Sequence, residues 1–249
     1  MVYVTGDCHG NFSRFFAGNF PKFNEMTKED YVIVCGDFGI WDHSEKRESD
    51  LDALNALPFT VLFVDGNHEN FDILYKLPYE WWHGGKVQRI RPSVIRLMRG
   101  QCYRICDKSF FTFGGARSHD IDDGILSPKD IRKIKKWKAE DKRFRIDHLT
   151  WWEREEPSPE EYEEGLLTLK WMGHKVDYII THEAPISCIQ EMKKYGGYAP
   201  SGEYPLTDYL QDIKDETKYK QWYFGHHHTE EALADGCFNI YKRIKLLIP

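Results

Sequence analysis

Asp7, His9, Asp37, Asn67, His68, His182, His226 and His228 are the residues on which chemistry can be built in this chain. Each stands where a short apolar run breaks into a polar turn: Gly6-Asp7-Cys8-His9-Gly10, Gly36-Asp37, Gly66-Asn67-His68-Glu69, Thr181-His182 and Gly225-His226-His227-His228. Carboxylate oxygen, amide oxygen and imidazole nitrogen are all donors to divalent cations. So many donors exceed one tetrahedral ion and suit two five- or six-coordinate ions, which then need a shared carboxylate. Asp37 is the best candidate for that role. In extended backbone, residues two apart share a face, so Asp7 and His9 reach one ion, and the same logic groups His226 with His228. Cys8 and His227 then turn away. No cysteine enters the set, which argues against a thiolate zinc site and leaves Mn, Fe, Zn, Ni and Mg.

These donors need elements that bring them to one place. Val2–Thr5, Tyr31–Cys35 and Thr60–Val64 are near-continuous apolar runs of strand length, each followed by a helical stretch. Asn11 is placed to cap a short helix through Phe16, and Pro21 with the polar residues Asn24 to Asp30 forms a connection. Ser44 starts a helix with Leu51, Leu54 and Leu57 at helical spacing, closed by Pro58. Right-handed crossovers put all three strand ends on one side of a sheet, so the donors gather at one edge. Val176–Thr181 and Gln221–Phe224 add two further strand ends, each carrying histidine.

The middle of the chain has a different texture. Val94–Met98, Cys102–Ile105 and Ser109–Phe113 alternate and are punctuated by turn residues, as expected of antiparallel strands in a second sheet. Gly114-Gly115-Ala116-Arg117-Ser118-His119-Asp120 follows as a polar loop. Ser127-Pro128-Lys129-Asp130 and Ser158-Pro159-Glu160-Glu161 both read as helix starts, and Gly173 as a helix end. Lys129 to Arg145 holds nine basic residues against three acidic ones, a run read first as solvated helix faces paired with nearby acids. Trp81-Trp82 and Trp151-Trp152 read as packing residues. His43, His83, His119, His148 and His174 sit outside any donor pattern and default to surface or hydrogen-bonding roles. Gly196-Gly197 and Ser201-Gly202 would lend mobility near His182, and Cys237 to Ile248 reads as a closing hairpin.

With 249 residues, 30% charged and 41% hydrophobic, and a mean hydropathy of −0.61, the sequence is that of a folded globular chain. One domain, residues 1–249, is expected, with an inserted helical cap over about 117–173. No apolar run is long enough to span a membrane, so no membrane partner is expected. The first residues run straight into a strand with no basic or apolar leader, which with six cysteines free of any C-x-x-C pair points to reduced thiols and a cytoplasmic location. A net charge of −6 gives no broad field for long nucleic acids.

In order, Asp7-Cys8-His9, Gly36-Asp37, Gly66-Asn67-His68-Glu69, His182 and Gly225-His226-His227-His228 resemble the five motifs D-x-H, GD, GNH[ED], H and G-H-x-H of the calcineurin-like metallophosphoesterase superfamily. The resemblance runs over residues 6 to 228. It implies an α/β fold, a β-sandwich of two mixed sheets flanked by helices. It implies a first metal site of Asp7, His9, Asp37 and His228, and a second of Asp37, Asn67, His182 and His226, with Asp37 bridging. His68 is similar to the family's non-ligand histidine, which stabilises the transition state or protonates the leaving oxygen. The implied cofactors are two divalent or transition metal ions, manganese foremost. The implied reaction is hydrolysis of a phosphomonoester or phosphodiester by in-line attack of a hydroxide held between the ions. Glu183 or Asp65 would orient the ligand imidazoles from behind.

The second motif departs from the protein serine/threonine phosphatases of this superfamily, which continue it as GD-x-x-D-R-G. Here it reads Gly36-Asp37-Phe38-Gly39-Ile40-Trp41-Asp42, and the phosphate-gripping arginine is missing. Arg117 in the polar loop is the favoured substitute for substrate binding, with Arg47 second. A phosphorylated small molecule or nucleotide is the expected substrate. A nuclease acting on short or single-stranded nucleic acid and a non-catalytic scaffold of the same fold are the alternatives.

Overall fold

The structure, a computed structural model, describes residues 1–20, 22–194 and 204–249. Along the first part of the chain lie β1 (Val2–Thr5), β2 (Tyr31–Val34), α1 (Glu45–Asn55), β3 (Thr60–Phe63) and α2 (Phe71–Leu74). Then come β4 (Glu80–Trp82), β5 (Gly85–Arg91), β6 (Val94–Leu97), β7 (Gln101–Ile105), β8 (Lys108–Phe113) and β9 (Gly124–Leu126). The third stretch holds α3 (Ile131–Ala139), β10 (Phe144–Ile146), α4 (Pro159–Trp171), β11 (Tyr178–Thr181) and α5 (Ile186–Lys194). The chain closes with α6 (Pro205–Glu216), β12 (Gln221–Phe224), β13 (Glu231–Ala232), β14 (Cys237–Asn239) and β15 (Lys245–Ile248).

Two mixed sheets face each other with helices outside them. The first has the order β15-β1-β2-β3-β6-β5-β4 and the second β13-β14-β12-β11-β8-β7. Period-two alternation divides each strand between two cores. From the first sheet, Val2, Val4, Ile33, Cys35 and Leu62 point inward and meet Phe110, Tyr178, Ile180 and Tyr223 of the second. Tyr3, Val32, Val34, Val61 and Phe63 point outward onto Phe12, Phe15 and the α1 leucines. Phe111, Phe113, Ile179, Trp222 and Phe224 cover the far face with α5 and α6. Strands buried on both faces explain why β1, β2, β3 and β11 read as continuous apolar runs.

Register delivers the donors to one edge. Thr5 lies beside Val34, and Val34 beside Phe63, in parallel pairings, so the turns beginning at Gly6, Cys35 and Val64 leave the sheet level with one another. In the second sheet Thr181 pairs with Phe113 and Ile180 with Tyr223, which brings His182, the Gly114 loop and Gly225 to the same end.

Several expectations are corrected. Val94–Leu97 belongs to the first sheet, pairing parallel with β3 and antiparallel with β5; the second sheet takes only β7 and β8 of the three strands assigned to it. Alternation marks a strand but carries no partner choice. Cys237 to Ile248 is no hairpin, because β14 joins β12 while β15 crosses to pair with β1. The helix expected at Ser127 begins at Ile131, after a turn, and gains no side-chain cap. Before Phe16 there is a single 3-10 turn, Ser13–Phe15, with Asn11 Oδ1 accepting from the Ser13 N–H. Ser158 does cap α4, in a full capping box with Glu161. Pro21 and the glycines at 196, 197 and 202 lie outside the described residues. Among the described residues all six cysteines are free and no helix is long and apolar enough to cross a membrane.

Candidate metal centre

Gly225 and Gly66 show why these turns are built as they are. A Cβ on Gly225 would lie 2.2 Å from Asp7 Oδ1, and one on Gly66 would lie 2.1 Å from Asp37 Oδ1 and 2.7 Å from His182 Nε2. Only glycine lets donors from separate strands approach this closely. The donors themselves carry backbone strain: φ is +45° at His9, +46° at Asp37, +66° at His226 and +53° at His228. Non-glycine residues rarely adopt this region, and here it aims side chains that an extended turn would not. The extended i, i+2 geometry expected from sequence is therefore corrected, although Asp7 and His9 do converge. Likewise His226 and His228 do not serve one point; they go to adjacent groups.

The first group is Asp7, His9, Asp37 and His228. Asp7 Oδ2 lies 2.9 Å from His228 Nε2 and 3.6 Å from His9 Nε2, and the two Nε2 atoms are 3.0 Å apart. That carboxylate oxygen is fully buried without hydrogen-bond geometry to either ring. A buried carboxylate oxygen left without a hydrogen bond, with two ring nitrogens gathered beside it, fits a cation among them. Burial works against ionising Asp7, but His228 and His9 outweigh it and hold the carboxyl well below its usual range.

Asp37 joins this group to the next. Its Oδ2 faces His9 Nε2 at 3.8 Å while Oδ1 faces His182 Nε2 at 3.4 Å, so each oxygen of one carboxylate serves a different set. Oδ1 also accepts the His68 N–H at 2.8 Å. Glu69, buried, accepts from the N–H groups of Phe38, Gly39 and Ile40 and so pins the loop that presents Asp37. Burial pushes the Glu69 carboxyl up, to about 8.

The second group is Asp37, His182 and His226, with Asn67 Oδ1 3.3 Å from His182 Nε2. His182 Nδ1 donates to the Cys35 carbonyl at 2.8 Å, which leaves Nε2 as the donor atom facing the site. Burial alone would lower the His182 pKa, yet Asp37 raises it to about 10. Glu183, also fully buried, accepts from His227 Nε2 at 2.9 Å and from the Tyr204 hydroxyl, and its Oε2 lies 3.5 Å from His226 Nε2. His227 thus faces away from the site, as expected, and Glu183 backs the imidazoles.

Asp65 does not share that task. It is buried between Arg96 and Arg99, which donate to it at 2.6 to 3.0 Å. Cys8 is buried, its Sγ 3.8 Å from the Gly6 carbonyl and its thiol pushed up to about 12 by burial, outside both groups.

His68 belongs to neither group but sits against the first, its ring 5.3 Å from that of His9. Burial holds its pKa below the ordinary histidine value. Trp41 Nε1 donates to its carbonyl at 2.7 Å. Of the two arginine candidates, Arg117 is half exposed with Nε 3.7 Å from Glu156. Arg47 is buried, stacked 5.3 Å from the Trp41 ring centre, with Nε and Nη1 unpartnered by hydrogen bonds.

One residue that sequence reasoning left as ordinary stands inside the site. His119 Nε2 is 2.6 Å from His226 Nε2, and the two form a third cluster with Glu183. The signal was available: β8 ends in Gly114-Gly115 beside β11, the same strand-glycine-polar sequence that marks the other junctions.

The calcineurin-like phosphoesterase family profile matches residues 1–230. The lariat debranching enzyme of Schizosaccharomyces pombe is 25% identical over 252 aligned positions, covering 92% of this chain and 48% of that protein. Lariat debranching enzyme A of Xenopus laevis is 27% identical over 101 positions, 32% of this chain and 18% of its own length. The chain therefore spans about half the length, or less, of these curated relatives. With the family profile running through all five donor turns, the chain belongs to the calcineurin-like phosphoesterase family.

Proposed function

We propose that this chain is a metal-dependent phosphoesterase that holds two ions. Asp7, His9, Asp37 and His228 would bind one, and Asp37, Asn67, His182 and His226 the other. The observation that carries this reading is the Asp37 carboxylate, whose two oxygens face different donor groups. Two bound divalent cations supply the positive charge that neutralises a phosphoryl group and makes water nucleophilic at neutral pH. The chain's own residues would do the rest: the strained turns hold the donors, and His68, its ring 5.3 Å from that of His9, would share a proton with the leaving oxygen. Manganese is the first choice of metal, since an all-oxygen-and-nitrogen set suits it.

The phosphodiester is the favoured ester and a nucleic-acid strand the favoured bearer of it. Two observations support that reading over the small phosphorylated molecule first expected from the sequence. The relatives are debranching enzymes that act on lariats, and the similarity to one covers 92% of this chain. The end of the basic segment also reaches the rim of the site: Arg143, half exposed and paired with Asp122, donates to the His119 carbonyl at 2.7 Å, and Arg145 pairs with Asp120. Exposed cations beside a hydrolytic centre suit a substrate with neighbouring phosphates.

The test is hydrolysis, with Mn(II) added, of p-nitrophenyl phosphate, bis-p-nitrophenyl phosphate, cyclic nucleotides, and linear and branched oligoribonucleotides. Diester turnover, greatest on the oligonucleotides and falling with salt, is expected. Monoester turnover alone would overturn the substrate reading, and no turnover on any of them would overturn the phosphoesterase reading.

A further inference from the structure

The Asn67 amide has two ends, and only its oxygen is a metal donor. Its Nδ2 donates to Ser118 Oγ at 3.2 Å, which turns Oδ1 toward His182 Nε2 at 3.3 Å. Ser118 is itself held: its N–H donates to Glu155 Oε1 at 2.7 Å and its hydroxyl to Glu155 Oε2 at 2.8 Å, with both residues buried. The next residue in the chain, His119, places Nε2 2.6 Å from His226 Nε2. Asn67 and His226 are members of the same second group, and consecutive residues of one loop reach both.

We propose that Ser118 and His119 are positioning residues for the second metal position, Ser118 fixing which end of the Asn67 amide faces it and His119 fixing the tautomer of His226. This rests on the two-metal reading above. A proton on His226 Nε2, shared with His119 Nε2, leaves the lone pair on His226 Nδ1 as the donor. The same logic acts on His182, whose Nδ1 donates to the Cys35 carbonyl so that Nε2 faces the site. The first group is held by other contacts: Asp7 accepts the His226 N–H, its own carbonyl accepts from Arg14, and the His228 ring stacks on Tyr241 with 4.6 Å between ring centres, none of them made through Ser118 or His119.

The loop is anchored well enough for the task. Gly115 N–H donates to the Asp65 carbonyl at 2.8 Å, Ala116 N–H to the Glu155 carbonyl at 3.2 Å, and Arg117 N–H to the Tyr204 hydroxyl at 3.3 Å. Tyr204 in turn donates to Glu183, behind His226. The segment around Glu155, far from every metal motif in sequence, therefore reaches the second position through Ser118. Assembly of the second site depends on that segment being docked, and assembly of the first does not.

The experiment is a Mn(II) titration of the full chain, made metal-free by chelation, followed by calorimetry and by electron paramagnetic resonance. Two binding events and an exchange-coupled spectrum are expected of the wild type. Ser118→Ala and His119→Ala should each weaken the second event by about 10- to 100-fold while leaving the first unchanged. At a fixed sub-saturating Mn(II) concentration the coupled signal then gives way to the six-line spectrum of an isolated ion. Ser118→Thr keeps the hydroxyl and His119→Gln keeps an acceptor, so both should restore the coupled signal. Thermal melting of the metal-free variants separates a local effect from loss of fold. Wild-type affinity for both ions in both alanine variants overturns the proposal, and so does equal weakening of the two events. A wild type that takes up fewer than two ions overturns the two-metal reading and the proposal with it.

Discussion

Asp65→Asn should cost the fold far more than a single-atom change suggests. Asp65 and Arg96 are fully buried and Arg99 is 2% exposed. Arg96 donates to Oδ1 at 3.0 and 2.8 Å, and Arg99 to Oδ2 at 2.9 and 2.6 Å, so one carboxylate answers two guanidiniums. Gln88 takes the remaining Arg96 contact at 2.8 Å and Glu161 a further Arg99 contact at 2.9 Å. Burial works to raise the Asp65 pKa, but the two arginines outweigh it and hold the carboxyl below its usual range. Asparagine removes the charge and turns an NH₂ toward one guanidinium. A pair of unit charges about 4 Å apart is worth about 4 kcal/mol at an effective dielectric near 20. Relief of the carboxylate's own desolvation offsets part of the loss, leaving a net destabilisation of about 3–5 kcal/mol. Spread over the unfolding entropy of 249 residues, that corresponds to a fall in Tm of about 6–10 °C. Because the folded-state pKa is depressed, the wild-type advantage is present above pH 3.8 and shrinks as pH falls through the folded value. Urea and thermal unfolding at pH 7 and pH 3.5 measure both features. A loss under about 1 kcal/mol at pH 7 would refute the view that this triad is a stabilising anchor for the Gly66-Asn67-His68 turn.

Ser158→Ala removes half of the capping box that starts α4 and should cost about 1 kcal/mol in urea unfolding, with no change on Ser158→Asp. Glu155 is buried and its carboxyl is pushed up to about 8 from 4.5, so its contribution to stability is full below pH 4.5 and is lost as pH rises through 8. Glu155→Gln should flatten that decline; parallel stability curves between pH 5 and 8.5 would remove Glu155 as its source. His68→Ala should retain Mn(II) while losing about 10²- to 10⁴-fold in kcat, and unchanged turnover would take His68 out of the reaction.

Much of the architecture was legible because the strands β1, β2, β3, β11 and β12 are buried on both faces, and such strands must be continuous apolar runs. The donor residues stood out because each lies in the short polar turn that follows such a run. What the sequence does not carry is partner choice at a distance. β6 sits beside β3 rather than β7, and β15 crosses to β1, because registers are decided by packing between sheets that alternation alone does not encode. Backbone strain was also hidden: nothing in the letters His9 or His226 marks a positive φ, which only the surrounding contacts enforce. Asp65 illustrates a different limit, since a buried acid next to a donor turn reads equally as support for imidazoles or for arginines, and Arg96 and Arg99 lie about thirty residues away. His119 was passed over because it matched no motif, although its position after a strand and two glycines was the same as that of the donors.

The central claim, that two ions sharing Asp37 make this chain a phosphoesterase, is tested most directly by titrating Mn(II) into the metal-free protein while following hydrolysis of bis-p-nitrophenyl phosphate. No turnover without metal, a rise that tracks uptake of a second ion, and loss of both uptake and turnover in Asp37→Asn are predicted. Turnover in the metal-free protein, or full activity in Asp37→Asn, would contradict the account.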